Sequence, residues 1–229
     1  MTYQVLITGA NRGIGLEFTK QYAQDGWNVL ACCRDTQHAS ALQALANAHT
    51  NIRILSLDVA DFAQIDALAS QLKNEKIDVL INNAGVYPES SLADADAEDW
   101  LGAFKINSIA PLKMAMAFTA HITKSELKKI ATLSSKMGSM SDNTSGGSYI
   151  YRSSKAAVNM VMKSLSIDLQ STGIAVVTLH PGWVLTDMGG SNALIDTKTS
   201  VAGLRKVIMN LNMSNTGKFI AYDGKEIAW

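Results

Sequence analysis

The chain has 229 residues, 47% of them apolar and 17% charged, and its twenty basic and twenty acidic side chains leave a formal net charge of zero. That length suits one large α/β domain spanning 1–229, and that composition excludes a disordered chain. A balanced charge offers no basic field to nucleic acid or an anionic membrane, no run approaches the ~20 apolar residues of a membrane span, and the start lacks a secretion signal.

The first predicted strand, Gln4–Thr8, runs directly into Gly9-Ala10-Asn11-Arg12-Gly13-Ile14-Gly15 and then a helix. Gly9 permits a tight turn, Gly13 lets the backbone approach a pyrophosphate, and Gly15 lets helix and strand close up. The helix N-terminus offers unbonded N–H groups and a partial positive charge to phosphates. Asn11 and Ile14 lie inside this turn and count among its binding residues. The second strand, Asn28–Cys33, ends without the acid that an NAD site places against a ribose 2′-hydroxyl. Arg34 follows it, and Arg12 adds a second cation, which predicts a 2′-phosphate and so NADP(H) over NAD(H). Asp35 is placed to pair with Arg34. Cys32 and Cys33 are neighbours on a strand, so they face opposite ways and do not bond, as expected in a reducing cytoplasm.

The third strand, Arg53–Leu57, ends at Asp58 and Val59, where a carboxylate can meet an adenine amino group. Asp61 caps a helix with Phe62, Ile65, Leu68, Ala69 and Leu72 on one stripe. The fourth strand, Val79–Asn82, leads into Asn83, Ala84 and Gly85, whose small size lets backbone and ligand come close. A helix over Trp100–Ala120 follows, apolar nearly all round. Within it Pro111 has no N–H for the carbonyl of Asn107 and clashes with it, so that carbonyl is released and the helix bends. A water between Asn107 and Lys155 would then make a proton path.

The fifth strand, Lys129–Ser134, closes on Ser134-Ser135. A hydroxyl there can hold a substrate oxygen, with Ser135 the first candidate and Ser134 the next. Tyr151 and Lys155 are four apart on the following helix and share a face. An ammonium beside a phenol favours tyrosinate and is expected to lower the tyrosine pKa. This helix carries Val158, Met160, Val161, Met162, Leu165 and Leu169. Together with the segment near 100–120, its apolar surface over 151–170 predicts a homo-oligomer. The sixth strand, Ala175–Leu179, leads to His180-Pro181-Gly182-Trp183-Val184-Leu185-Thr186. Pro181 and Gly182 fix a turn, and the Val184 backbone and Thr186 hydroxyl can meet a nicotinamide carboxamide. His180, at the end of an apolar strand, reads as structural. The seventh strand is Lys218–Ala221. Four histidines and two cysteines show no metal-ligand spacing, so no metal is expected. Continuous apolar strands alternating with helices predict a doubly wound parallel sheet, with ligands at the strands' carboxyl ends.

Taken in order, TGANRGIG at 8–15, Asp58, NNAG at 82–85, Asn107, Ser135, YRSSK at 151–155 and PGWVLT at 181–186 resemble the short-chain dehydrogenase/reductase family over essentially the whole chain. HPGWVLTDMGG and the ending GKFIAYDGKEIAW resemble its C-factor and sniffer-type carbonyl reductase group. The resemblance implies a single-domain Rossmann-type sheet of about seven parallel strands with helices on both faces. It also implies NADP(H) and a catalytic tetrad of Asn107, Ser135, Tyr151 and Lys155, of which Tyr151 and Lys155 also touch the coenzyme. The interval from Ser135 to Tyr151 departs from the family by being longer and Ser/Gly-rich, which suggests a pocket rim special to this group.

The expected function is NADPH-dependent reduction of aldehydes or ketones, with Tyr151 as general acid. The expected lining of Tyr87, Met137, Tyr149, Trp183 and Met188, under a lid near Gly189–Thr199, points to an uncharged or hydrophobic carbonyl. The alternative is a regulatory protein that senses the coenzyme on the same scaffold.

Overall fold

The computed structural model describes residues 2–229. Seven strands are β1 (Gln4–Thr8), β2 (Asn28–Cys33), β3 (Ile52–Ser56), β4 (Val79–Asn82), β5 (Lys129–Leu133), β6 (Ala175–His180) and β7 (Lys218–Ala221). The helices between them are α1 (Gly13–Gln24), α2 (Ser40–Ala48), α3 (Phe62–Gln71), α4 (Ala97–Phe104), α5 (Ala110–Thr123), α6 (Tyr149–Asp168) and α7 (Thr197–Asn210). The strands form one sheet in the order β3-β2-β1-β4-β5-β6-β7, and every pairing is parallel. The predicted fold is therefore present, with strand bounds displaced by at most a residue.

Alternation along the strands sorts their side chains into two apolar layers. Val5 and Ile7 of β1 pack with Phe18, Tyr22, Leu204 and Ile208 on one face. Leu6 packs on the other with Ile65, Leu68, Phe118, Val158 and Met162. Cys33 belongs to the first layer and Cys32 to the second, and both thiols are free. Because both faces are covered, the strands read as unbroken apolar runs. No helix is long and apolar enough, among the described residues, to cross a membrane.

Strand order reverses between β1 and β4, the place where a crevice opens in such sheets. Asp61 caps α3 as expected, accepting the N–H groups of Ala63 and Gln64. The long helix foreseen over Trp100–Ala120 is corrected: it is α4 and α5 joined by a π turn over Lys105–Ile109. The Ala110 N–H reaches back five residues to the Lys105 carbonyl. The missing N–H of Pro111 is thus absorbed by one extra residue in the turn rather than by a simple kink. Helix α6 begins two residues before Tyr151. Gly146, Gly147 and Ser148 precede it, all with positive φ (65°, 66° and 47°), and Ser148 tolerates a conformation that its neighbours leave to glycine.

Candidate active site

A cavity of about 460 Å³ lies over the carboxyl ends of β1, β4 and β5. The glycine turn forms one wall. Gly9 and Gly13 have φ of 65° and 54°, open to glycine without strain. A Cβ on Gly15 would lie 2.1 Å from the Gly9 carbonyl oxygen and 2.6 Å from Asn83 Nδ2, so no side chain fits there. The Asn83 amide ties this turn to β4, donating to the carbonyls of Thr8 (2.8 Å) and Gly9 (3.0 Å). In return the Thr8 hydroxyl accepts the N–H groups of Asn83 and Ala84 at 3.0 and 3.1 Å. No side chain caps the N-terminus of α1, which leaves its first N–H groups for an anion.

Charge at the end of β2 favours a phosphate. Asp35 does not pair with Arg34, as the sequence suggested. Its carboxylate takes His38 Nδ1 at 2.6 Å and the N–H groups of Gln37 and His38, and the hydrogen bonds from His38 hold it below the usual carboxylate range. Arg34 lines the cavity with no carboxylate partner among the described residues. Arg12 meets Asp187 at 3.0 Å across the cleft, but the two side chains are 71% and 80% exposed, so water screens the pair. Asp58 and Val59 line the far end, where one Asp58 oxygen already accepts the Ala60 N–H at 2.9 Å.

Tyr151 and Lys155 reach the same cavity from α6. The Lys155 ammonium donates to the Leu133 carbonyl at 2.9 Å and lies 5.6 Å from the centre of the Tyr151 ring. Burial pushes its pKa down to about 8. The expected lowering of the tyrosine is corrected. Burial pushes the Tyr151 phenol up to about 12, a hydrogen bond with Ser135 works the other way, and the charge of a neighbouring Tyr87 phenolate would add to the rise. Desolvation of the phenol therefore outweighs the distant amine, and Tyr151 remains protonated.

The two serines part company. Ser134 directs its hydroxyl to Asn159 Oδ1 at 2.6 Å, whereas Ser135 faces the phenol and caps the short turn Lys136–Gly138 by accepting the Met137 N–H at 3.1 Å. The Asn107 side chain is fully engaged. Its Oδ1 accepts the Val86 N–H at 2.9 Å, and its Nδ2 donates to the Val86 carbonyl (2.9 Å) and Ser154 Oγ (3.0 Å). Gly85 lies between Asn107 and Lys155, since a Cβ there would sit 3.2 Å from Asn107 Oδ1 and 3.6 Å from Lys155 Nζ.

Ser135 and Asn107 are not among the residues that line the cavity, and Ser135 meets it through the Tyr151 phenol. Ser134, the second candidate, lines it together with the predicted residues Gly9, Asn11, Arg12, Gly13, Ile14, Gly15, Arg34, Asp58, Val59, Asn83, Ala84, Gly85, Tyr151, Lys155, Pro181 and Thr186. Gly182 and Val184 do not line it. A Cβ on Gly182 would press on Ile195 (2.7 Å) and Tyr222 (2.9 Å), and Val184 is buried in a bridge to Ile195. The expected lid is folded back: the Leu185 N–H meets the Ile195 carbonyl and the Leu194 N–H meets that of Trp183, and Thr197–Thr199 already belong to α7. Of the expected substrate lining only Met188 lines the cavity; Met137 does not, and Tyr87, Tyr149 and Trp183 are exposed outside that lining, with Tyr87 packed against the Tyr151 ring. No metal-binding cluster occurs among the described residues.

The sequence reading missed Arg152 and Asn159. Arg152 pins the Ser/Gly-rich segment through the Gly146 carbonyl and Ser145 Oγ. The available signal was spacing: Asn159 follows Tyr151 by eight residues on an apolar stripe.

The model of the family described as short chain dehydrogenase matches residues 3–194. C-signal of Myxococcus xanthus is 43% identical over 164 residues, which cover 71% of this chain and 99% of that protein. The carbonyl reductase Sniffer of D. melanogaster superposes with a TM-score of 0.94 at 36% identity, with both chains covered completely. An NADPH-bound carbonyl reductase from chicken fatty liver gives 0.94 at 37% identity, covering 100% of this chain and 99% of that one.

His180 accepts the Lys136 N–H at Nδ1 (3.2 Å), and burial pushes it down to about 4. Its folded pKa lies below the ordinary 6.5, so stability from this group is complete above about 6.5 and is lost as pH falls toward 4. The urea midpoint of the wild type should drop between pH 7 and 4.5 by more than that of His180→Gln. Equal drops would contradict a buried neutral imidazole.

Proposed function

The chain belongs to the short-chain dehydrogenase family, and on that footing we propose that it is an NADPH-dependent reductase of aldehydes or ketones. One observation carries the reading. A buried phenol that keeps its proton and a buried amine share a helix face over the same cavity as the phosphate-binding glycine turn.

The cavity residues suit the dinucleotide. Gly9, Gly13 and the first N–H groups of α1 would hold the pyrophosphate, Asp58 and Val59 the adenine, and Arg34 with Arg12 the 2′-phosphate. Lys155 would hold ribose hydroxyls, and Pro181 and Thr186 the carboxamide end. When bound, NADPH supplies the hydride. Tyr151 gives the carbonyl oxygen its proton, a role suited to a group still protonated well above neutral pH. Ser135 seats that oxygen, Lys155 holds positive charge near the phenol below about pH 8, and a water held by the Asn107 carbonyl, within the π turn, would pass protons to Lys155. Met188 in the cavity wall and Tyr87 beside Tyr151 favour an uncharged or hydrophobic substrate. NADPH in the chicken liver reductase supports the coenzyme. The expected location is the cytoplasm.

Likeness to a protein named C-signal favours a second reading, in which coenzyme binding regulates association with a partner. Exposed Leu101, Met116, Met160 and Ile167 on α4, α5 and α6 support a homo-oligomer. Light scattering should then give a mass above the monomer, and a monomer at assay concentration would contradict it.

Steady-state turnover of a carbonyl panel with NADPH and NADH separates the enzyme from the regulator. Tyr151→Phe should cut kcat by about 10²–10⁴ while NADPH binding stays within about twofold, the signature of a lost proton donor. A rate near wild type would remove Tyr151 from the chemistry. Arg34→Ser should raise KM for NADPH about tenfold and leave that for NADH unchanged. An equal effect on both would deny a 2′-phosphate contact.

A further inference from the structure

Ladder bonding on the β5 side of the sheet ends just before the reactive serine. The Ser134 N–H meets the Leu179 carbonyl at 2.7 Å, and the next N–H bonds are local to the turn or go to His180. Something else must set the register of Ser135 against the phenol. Asn159 stands at the point where this could be done. It lies on α6 four residues beyond Lys155 and eight beyond Tyr151, on the same side of the helix.

Its amide grips both ends of the serine turn. Oδ1 accepts from Ser134 Oγ at 2.6 Å, and Nδ2 donates to the Gly138 carbonyl at 3.3 Å. A carbonyl cannot donate, so the NH₂ group must face Gly138 and the amide has one usable orientation. The residue is 3% exposed, and a buried amide is costly unless bonded in this way. The turn lies hard against the helix: a Cβ on Gly138 would come within 2.7 Å of the Lys155 carbonyl carbon and 2.8 Å of its Cβ. On the near flank Arg152 Nη1 donates to the Met137 carbonyl at 3.3 Å.

We infer that Asn159 is a positioning residue for the reduction, holding Ser135 in register with Tyr151 by fastening the Ser134–Gly138 turn to the helix that carries the phenol. It touches neither substrate nor coenzyme. The inference rests on the proposed role of Ser135 in seating the carbonyl oxygen.

A double-mutant cycle tests it: wild type, Ser135→Ala, Asn159→Ala and the double variant, assayed on one carbonyl at saturating NADPH. NADPH affinity is read by fluorescence and folding by thermal melting. Asn159→Ala should lower kcat about tenfold with NADPH affinity within about twofold, and should cost nothing further once Ser135 is alanine. A general packing role would show the same loss in both backgrounds, and that result, or a wild-type rate for Asn159→Ala, overturns the inference. Ser135→Ala at the wild-type rate instead overturns the proposed role of Ser135, and the inference falls with it. If Asn159→Ala does not fold, Ser134→Ala removes the strand side of the same grip, and its loss should likewise vanish in the Ser135→Ala background. If that loss persists there, the inference is equally overturned.

Discussion

A charged amine buried beside a phenol is the constraint on which the rest of this structure depends. Lys155 is 5% exposed and gives one of its N–H groups to the Leu133 carbonyl. A buried ammonium is tolerated only where polar atoms meet it, so α6 must cross the end of β5 at this height. That bond, with those of Asn159 to Ser134 and Gly138, ties the Tyr151 helix to the carboxyl edge of the sheet. Tyr151, Lys155 and the glycine turn then face one space, because that turn leaves β1 at the same edge.

Small residues make that space. Gly15 lets α1 press on the Gly9 carbonyl, Gly85 separates Asn107 from Lys155, and Gly138 lets the serine turn lie on α6. A Cβ at Gly15 or Gly138 would collide with backbone, and one at Gly85 would press on Asn107 Oδ1 at 3.2 Å. Polar side chains then tie these bare stretches together: Asn83 the glycine turn, Asn107 the chain after β4, and Asn159 the serine turn. Asn107 and Asn159 donate and accept at once, while Asn83 only donates, to the carbonyls of Thr8 and Gly9.

Much of this was legible in the sequence because the signals are local. A strand covered on both faces is a short unbroken apolar run, a phosphate turn needs its glycines at fixed offsets, and two groups one helical turn apart share a face. The misses are properties set by distant partners. Ser134 and Ser135 are neighbours, yet what divides them is Asn159, met by Ser134 twenty-five residues along the chain. Asp35 was placed to pair with Arg34, but a turn brings His38 to it instead. The ionisation of Tyr151 depends on how deeply it is buried, and pairwise spacing to Lys155 carries no such information. The missing N–H of Pro111 foretold a disturbance in its helix, while its form, a π turn over Lys105–Ile109, carries no local sequence signal. Gly182 and Val184 lie in a motif that touches the cavity at Pro181, Leu185 and Thr186, while Gly182 packs on Ile195 and Tyr222 and Val184 is buried in a bridge to Ile195.

The most direct measurement is a crystal structure with NADP⁺ and a bound ketone or alcohol. The substrate oxygen should lie within about 3–3.5 Å of the Tyr151 hydroxyl while its carbon lies at a similar distance from the nicotinamide ring. A phenol turned from the ring, or an oxygen held by some other donor beyond its reach, would contradict the account.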